Sequence, residues 1–88
     1  VKQIVVTLAN KFGLHARPAS KLVNLTKNFR GSVFIYKDGQ KVNAKSILGI
    51  IMLEAVQGAE VVIEANGVDE EQLLMDIQAL FNAKFNED

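Results

Sequence analysis

The chain has 88 residues, 49% of them hydrophobic and 23% charged, with ten basic and ten acidic side chains for a formal net charge of +0. That length fits one compact domain spanning residues 1–88, built around a single two-layer core. The neutral balance speaks against a nucleic-acid binder and against a polybasic membrane anchor, and the lack of cysteine removes disulfide and thiol chemistry and fits a reducing compartment. No run approaches the roughly 18 apolar residues of a membrane span, and Val1-Lys2-Gln3-Ile4 does not have the layout of a signal peptide. The expected setting is cytoplasmic, with no membrane insertion.

Residues 3–8 alternate, with Ile4, Val6 and Leu8 on one side and Gln3, Val5 and Thr7 on the other, which predicts a strand. Asn10 to Gly13 form a loop. A helix is expected from about residue 16 to 28, with Ala19, Leu22, Val23, Thr26 and Phe29 facing in. Pro18 lies in its first turn, where a missing N–H costs little. Gly31 is placed to end it in a left-handed conformation.

Residues 32–37 alternate again, Asp38-Gly39 reads as a tight turn, and Gln40 to Asn43 returns as the second arm of a hairpin. Ser46 precedes an apolar run and is a candidate N-cap for a short helix. After a turn at Gln57-Gly58, a strand from Glu60 to Ala65 turns Val61, Ile63 and Ala65 inward. The last helix opens on Asp69 and Gln72 at capping-box spacing, with Val68 and Leu73 as a hydrophobic staple. Glu70 and Glu71 suit the positive end of its dipole, and Leu73, Leu74, Ile77, Leu80, Phe81 and Phe85 form its buried stripe. The order predicts an α+β fold: a four-stranded antiparallel sheet with helices on one face and Val5 and Val62 on a face open to water.

His15 is the only histidine. Read alone, a single histidine is more often structural than functional. Its place at a helix start supplies the other reading. Unpaired N–H groups and positive potential there favour a phosphate and disfavour an imidazolium, leaving a neutral nucleophile. A phosphoryl group on the ring would meet the N–H groups of Ala16 and Arg17 and the two-pronged donor of the Arg17 guanidinium, while Pro18 stiffens the turn. Ser46 is either an ordinary N-cap or a phosphorylation site whose phosphate would accept the free N–H groups of its helix. The run Ile47, Leu48, Ile50, Ile51, Met52, Leu53 and Val56 has too many apolar residues for one helix face. It is read either as a deeply buried helix or as an exposed patch that docks partners. With one histidine and no cysteine no zinc site is expected, and without a glycine-rich phosphate loop no nucleotide cofactor is expected.

Gly13-Leu14-His15-Ala16-Arg17-Pro18-Ala19 closely resembles the phosphohistidine signature of the HPr family, and Val42 to Gly49 resembles that family's second signature around a regulatory serine. The likeness runs along nearly the whole chain. The resemblance implies an open-faced β-sandwich of four antiparallel strands and three helices. It implies a carrier, not an enzyme on its own, that takes a phosphoryl group from phosphorylated enzyme I onto Nδ1 of His15 and passes it to enzyme IIA domains of sugar transporters. Arg17 would assist transfer, and Ala16, Arg17 and Pro18 would stabilise the phosphate. Ser46 would be the regulatory phosphorylation site, with a serine kinase/phosphorylase and a transcriptional regulator as further partners. Ser20, Ile47, Leu48 and Ile51 would belong to the docking surface of a monomer.

Phe12 departs from the pattern, standing where several members carry a small polar residue. One alternative keeps the family and changes the role to a regulatory relay, nitrogen-related or in catabolite control. A second is an acylphosphatase-like hydrolase using Arg17 and Asn10, and a third is an RNA or small-ligand module, which the zero net charge disfavours.

Overall fold

The computed structural model describes residues 1–87. In chain order the elements are β1 (Lys2–Thr7), α1 (Ala16–Thr26), β2 (Gly31–Lys37), β3 (Gln40–Asn43), α2 (Ile47–Met52), β4 (Glu60–Gly67) and α3 (Glu70–Asn82), followed by one tight turn at Lys84–Asn86. The strands form a single antiparallel sheet in the order β1-β4-β2-β3. Alternation decides the faces: Val6, Val33, Ile35, Val61, Ile63 and Ala65 are buried under the helices, while Val5 on the other face is 61% exposed. This is the open-faced α+β architecture expected from the order of elements.

β4 lies between β1 and β2, and the closest approach is at Gly31 and Gly67, which pair across the strands. A β-carbon on Gly31 would collide with the carbonyl oxygen of Asn66, and one on Gly67 with that of Arg30. Gly31 therefore opens β2 and does not terminate α1, as its position in the sequence suggested. The helix ends instead at Thr26, capped by Lys27 in a right-handed conformation. Buried Thr26 donates its hydroxyl to the Ala44 carbonyl at 2.8 Å, tying the helix end to the segment before α2.

The start of α3 also differs from expectation. Asp69 takes φ 65°, ψ 28° and its side chain caps nothing, and Val68 is exposed, so neither the capping box nor the staple forms. Glu70 Oε1 instead accepts from the Gly67 N–H at 3.0 Å, and this hydrogen bond is the main cause holding the Glu70 carboxyl below the usual glutamate value. Leu73, Leu74, Ile77 and Phe81 are buried as predicted. Phe85 is buried too, but from the turn beyond the helix. Among the described residues no helix is long and apolar enough to cross a membrane.

Candidate functional site: a histidine at a helix start

The loop before α1 is pinned from both sides. Leu14 N–H donates to the Ala55 carbonyl at 3.0 Å, Gly58 N–H to Leu8 O at 2.7 Å, and the Gln57 side chain to Ala9 O at 3.1 Å. Gly13 has φ 69°, and a β-carbon there would collide with the Ala55 carbonyl oxygen. Buried Asn10 closes the loop on itself, donating Nδ2 to Gly13 O at 2.8 Å. The tight packing fixes the direction in which the next residue leaves the loop.

That residue is His15, the N-cap of α1, in extended backbone with φ −84° and ψ −168°. Its carbonyl accepts the first helical hydrogen bond, from Ala19 N–H at 3.0 Å, but its side chain caps nothing. Ala16 and Arg17 thus present N–H groups with no helical acceptor, and Pro18, buried at the next position, has none to present. The predicted cluster of His15, Ala16, Arg17 and Pro18 is therefore assembled at one helix end, with Arg17 exposed to solvent. This is an arrangement suited to an anion.

The imidazole side chain is 41% exposed, yet its Nε2 is buried. Facing Nε2 is Glu87 Oε2 at 3.3 Å, an ion-pair distance without the alignment of a hydrogen bond. The other Glu87 oxygen accepts from Asn10 Nδ2 at 3.1 Å. This carboxylate is a site residue that the sequence reading missed, and no local spacing signals it. The edge of the Phe12 ring meets the other part of the site, with centroids 6.2 Å apart and planes at 80° to that of His15.

An apolar collar runs from the loop of the histidine onto α2 and the segment after it. Phe12 is 70% exposed, Leu48 67%, and Met52, Val56 and Ile47 are also exposed. Val56 lies directly against Gly13, and α1 packs on α2, so the collar is continuous with the loop. Of the residues expected on this surface, Ile47 and Leu48 lie outward, Ser20 is half-buried one turn into α1, and Ile51 is half-buried against the core. Met52, one turn beyond Leu48, takes the outward place. The apolar run is thus partly core and partly surface, with Ile50 and Leu53 inside.

Ser46 is the N-cap of α2, its Oγ accepting from Gly49 N–H at 3.1 Å. Lys45 beside it is anchored, donating Nζ to the carbonyls of Phe29 and Gly31 at 2.7 and 2.8 Å. The hydrolase alternative loses its water-positioning amide, because Asn10 is buried and its N–H groups are engaged by Gly13 and Glu87.

Residues 2–83 match a family model described as "PTS HPr component phosphorylation site". The chain is 44% identical to phosphocarrier protein NPr of Klebsiella oxytoca, covering 100% of this chain and 98% of that protein. It is 40% identical to phosphocarrier protein HPr of Xylella fastidiosa, covering 94% and 93%. In structure it is similar to HPr from Thermoanaerobacter tengcongensis, with a TM-score of 0.94 and 41% identity over 100% of this chain and 99% of that one.

Proposed function

The chain belongs to the HPr family of phosphocarrier proteins, and from that premise we propose that it carries a phosphoryl group on Nδ1 of His15, received from phosphorylated enzyme I and passed to an IIA-type acceptor. One observation carries the reading: a partly exposed imidazole with Nε2 turned inward, at a helix start whose first N–H groups have no helical acceptor. The free N–H groups of Ala16 and Arg17 stabilise the transferred oxygens, and the Arg17 guanidinium closes over them with paired donors. The carrier is not an enzyme alone; each partner brings the rest of the transfer machinery. A collar of exposed apolar side chains around one charged centre suits short-lived contacts with several partners.

Ser46 is the regulatory site in this reading. A phosphate there would put a charge of about −1.5 to −2 beside Ile47 and Leu48 and weaken docking without unfolding the helix it caps.

A second reading keeps the carrier chemistry and changes the acceptor, making the protein part of a nitrogen-related regulatory relay and not of sugar uptake. The full-length 44% identity to a phosphocarrier protein NPr favours it.

Incubation with phosphoenolpyruvate and catalytic enzyme I, followed by intact-mass analysis, tests the shared core. We expect one acid-labile phosphoryl group on the wild type and none on His15→Ala. A folded wild type that gains nothing, beside a control carrier that does, overturns the reading. Onward transfer offered to sugar-branch and nitrogen-branch IIA proteins then separates the two branches.

A further inference from the structure

After α3 the chain turns back toward the histidine. Lys84, Phe85 and Asn86 take φ of 54°, 55° and 58° in succession, a conformation that non-glycine residues hold only where their surroundings enforce it. Here they do. Phe85 is fully buried against Phe81, with ring centroids 4.7 Å apart at 61°, and Lys21 Nζ donates to the Phe85 carbonyl. The turn delivers the Glu87 side chain, 12% exposed, into the gap between Asn10 and His15.

A carboxylate has only acceptors, so its near-burial is tolerable only against donors. Asn10 Nδ2–H supplies one. The other group facing it is His15 Nε2, which can serve only if it carries the proton. We propose that Glu87 is a positioning residue for phosphoryl transfer: it accepts the Nε2–H of His15 and so keeps Nδ1 unprotonated and turned outward. The proposal rests on the phosphocarrier reading of His15.

The electron bookkeeping supports the assignment. The Nδ1 lone pair forms the new N–P bond as the donor's N–P bond breaks and its electrons return to the donor nitrogen. No proton has to leave His15. The positive charge that the ring acquires spreads to Nε2–H, beside the Glu87 carboxylate. In onward transfer the Nδ1–P bond breaks, its electrons return to Nδ1, and Nε2 still holds its proton. Carboxylates behind a working imidazole fix its tautomer in this way in other settings. The 3.3 Å separation is of the long kind that closes when the partner group charges.

Nitrogen-15 spectra of histidine-labelled, unphosphorylated protein report the ring without any enzyme I. We expect a protected Nε2–H signal in the wild type that is lost in Glu87→Ala, with the backbone spectrum retained. In steady-state transfer from enzyme I, Glu87→Ala should lower kcat about ten- to a hundredfold at unchanged KM, and Glu87→Gln, which keeps an acceptor oxygen, should recover part of the loss. If Glu87→Ala does not fold, Glu87→Gln carries the test, with an intermediate kcat expected. An unchanged Nε2–H signal and kcat in a folded variant overturns the proposal. So does a rise in KM alone, which would make Glu87 a docking residue. A wild type that shows the protected proton but accepts nothing from enzyme I overturns the phosphocarrier reading, and with it the transfer role, while the contact itself stands.

Discussion

Gly13 shows how a single residue without a side chain can set the direction in which a histidine leaves its loop. Its positive φ and the carbonyl of Ala55 behind it leave no room for a β-carbon, and Leu14, next along, bonds that same carbonyl. Gly13→Ala should therefore cost about 1–3 kcal/mol from backbone strain alone, read as a lowered denaturation midpoint in urea. It should also slow phosphorylation of His15, because the loop must shift to make room. An unchanged midpoint would mean that the loop adapts more freely than its hydrogen bonds suggest. Arg17 stands in contrast: it is exposed, and in the proposed function its planar guanidinium closes on the phosphoryl oxygens.

Among the elements, the ends of the helices were the hardest to read. Asp69 has the spacing of a cap, but capping depends on backbone angles, and its left-handed conformation leaves its side chain without a role. Glu70 takes over by reaching back to Gly67 N–H. A carboxyl lowered in the folded state stabilises fully above its unfolded value and loses that contribution as pH falls through the lowered folded one. Wild type should thus lose more stability between neutral and strongly acid pH than Glu70→Gln, and chemical denaturation at the two pH values checks it. Equal losses would show that the contact contributes nothing through its charge. Ser46, in contrast, was legible as a cap because its helix starts in the ordinary extended conformation, φ −113° and ψ 116°.

At the scale of the whole molecule, the exposed apolar collar is a joint product of the loop, α2 and the segment after it. Leu48→Asp, at an exposed position, should leave the thermal midpoint unchanged while raising KM for enzyme I about tenfold, equivalent to about 1.4 kcal/mol, with kcat little altered. Unchanged KM would move the docking surface elsewhere. The sheet and its open face were legible because alternation is local and survives in every strand. The segment from Gly13 to Ala19 was singled out by its likeness to a family signature, and the helix start that it predicts is present at His15. What stayed hidden was non-local. Phe85 continues the helical spacing of Phe81, so the left-handed turn after α3 looks like one more helical turn, and nothing near Glu87 in the chain announces its partners Asn10 and His15.

The strand order carries a consequence for the timing of synthesis. β1 is made before the other strands, yet its one strand partner among the described residues is β4, with Lys2 opposite Ala65. The β2–β3 hairpin can form early, whereas β1 must wait on the nascent chain until most of the protein has followed it. The loop around His15 waits as well, since its supports are at Ala55 and Gly58, and Glu87 follows later, beyond α3. A ribosome-bound fragment that lacks these later segments therefore presents the histidine without its setting.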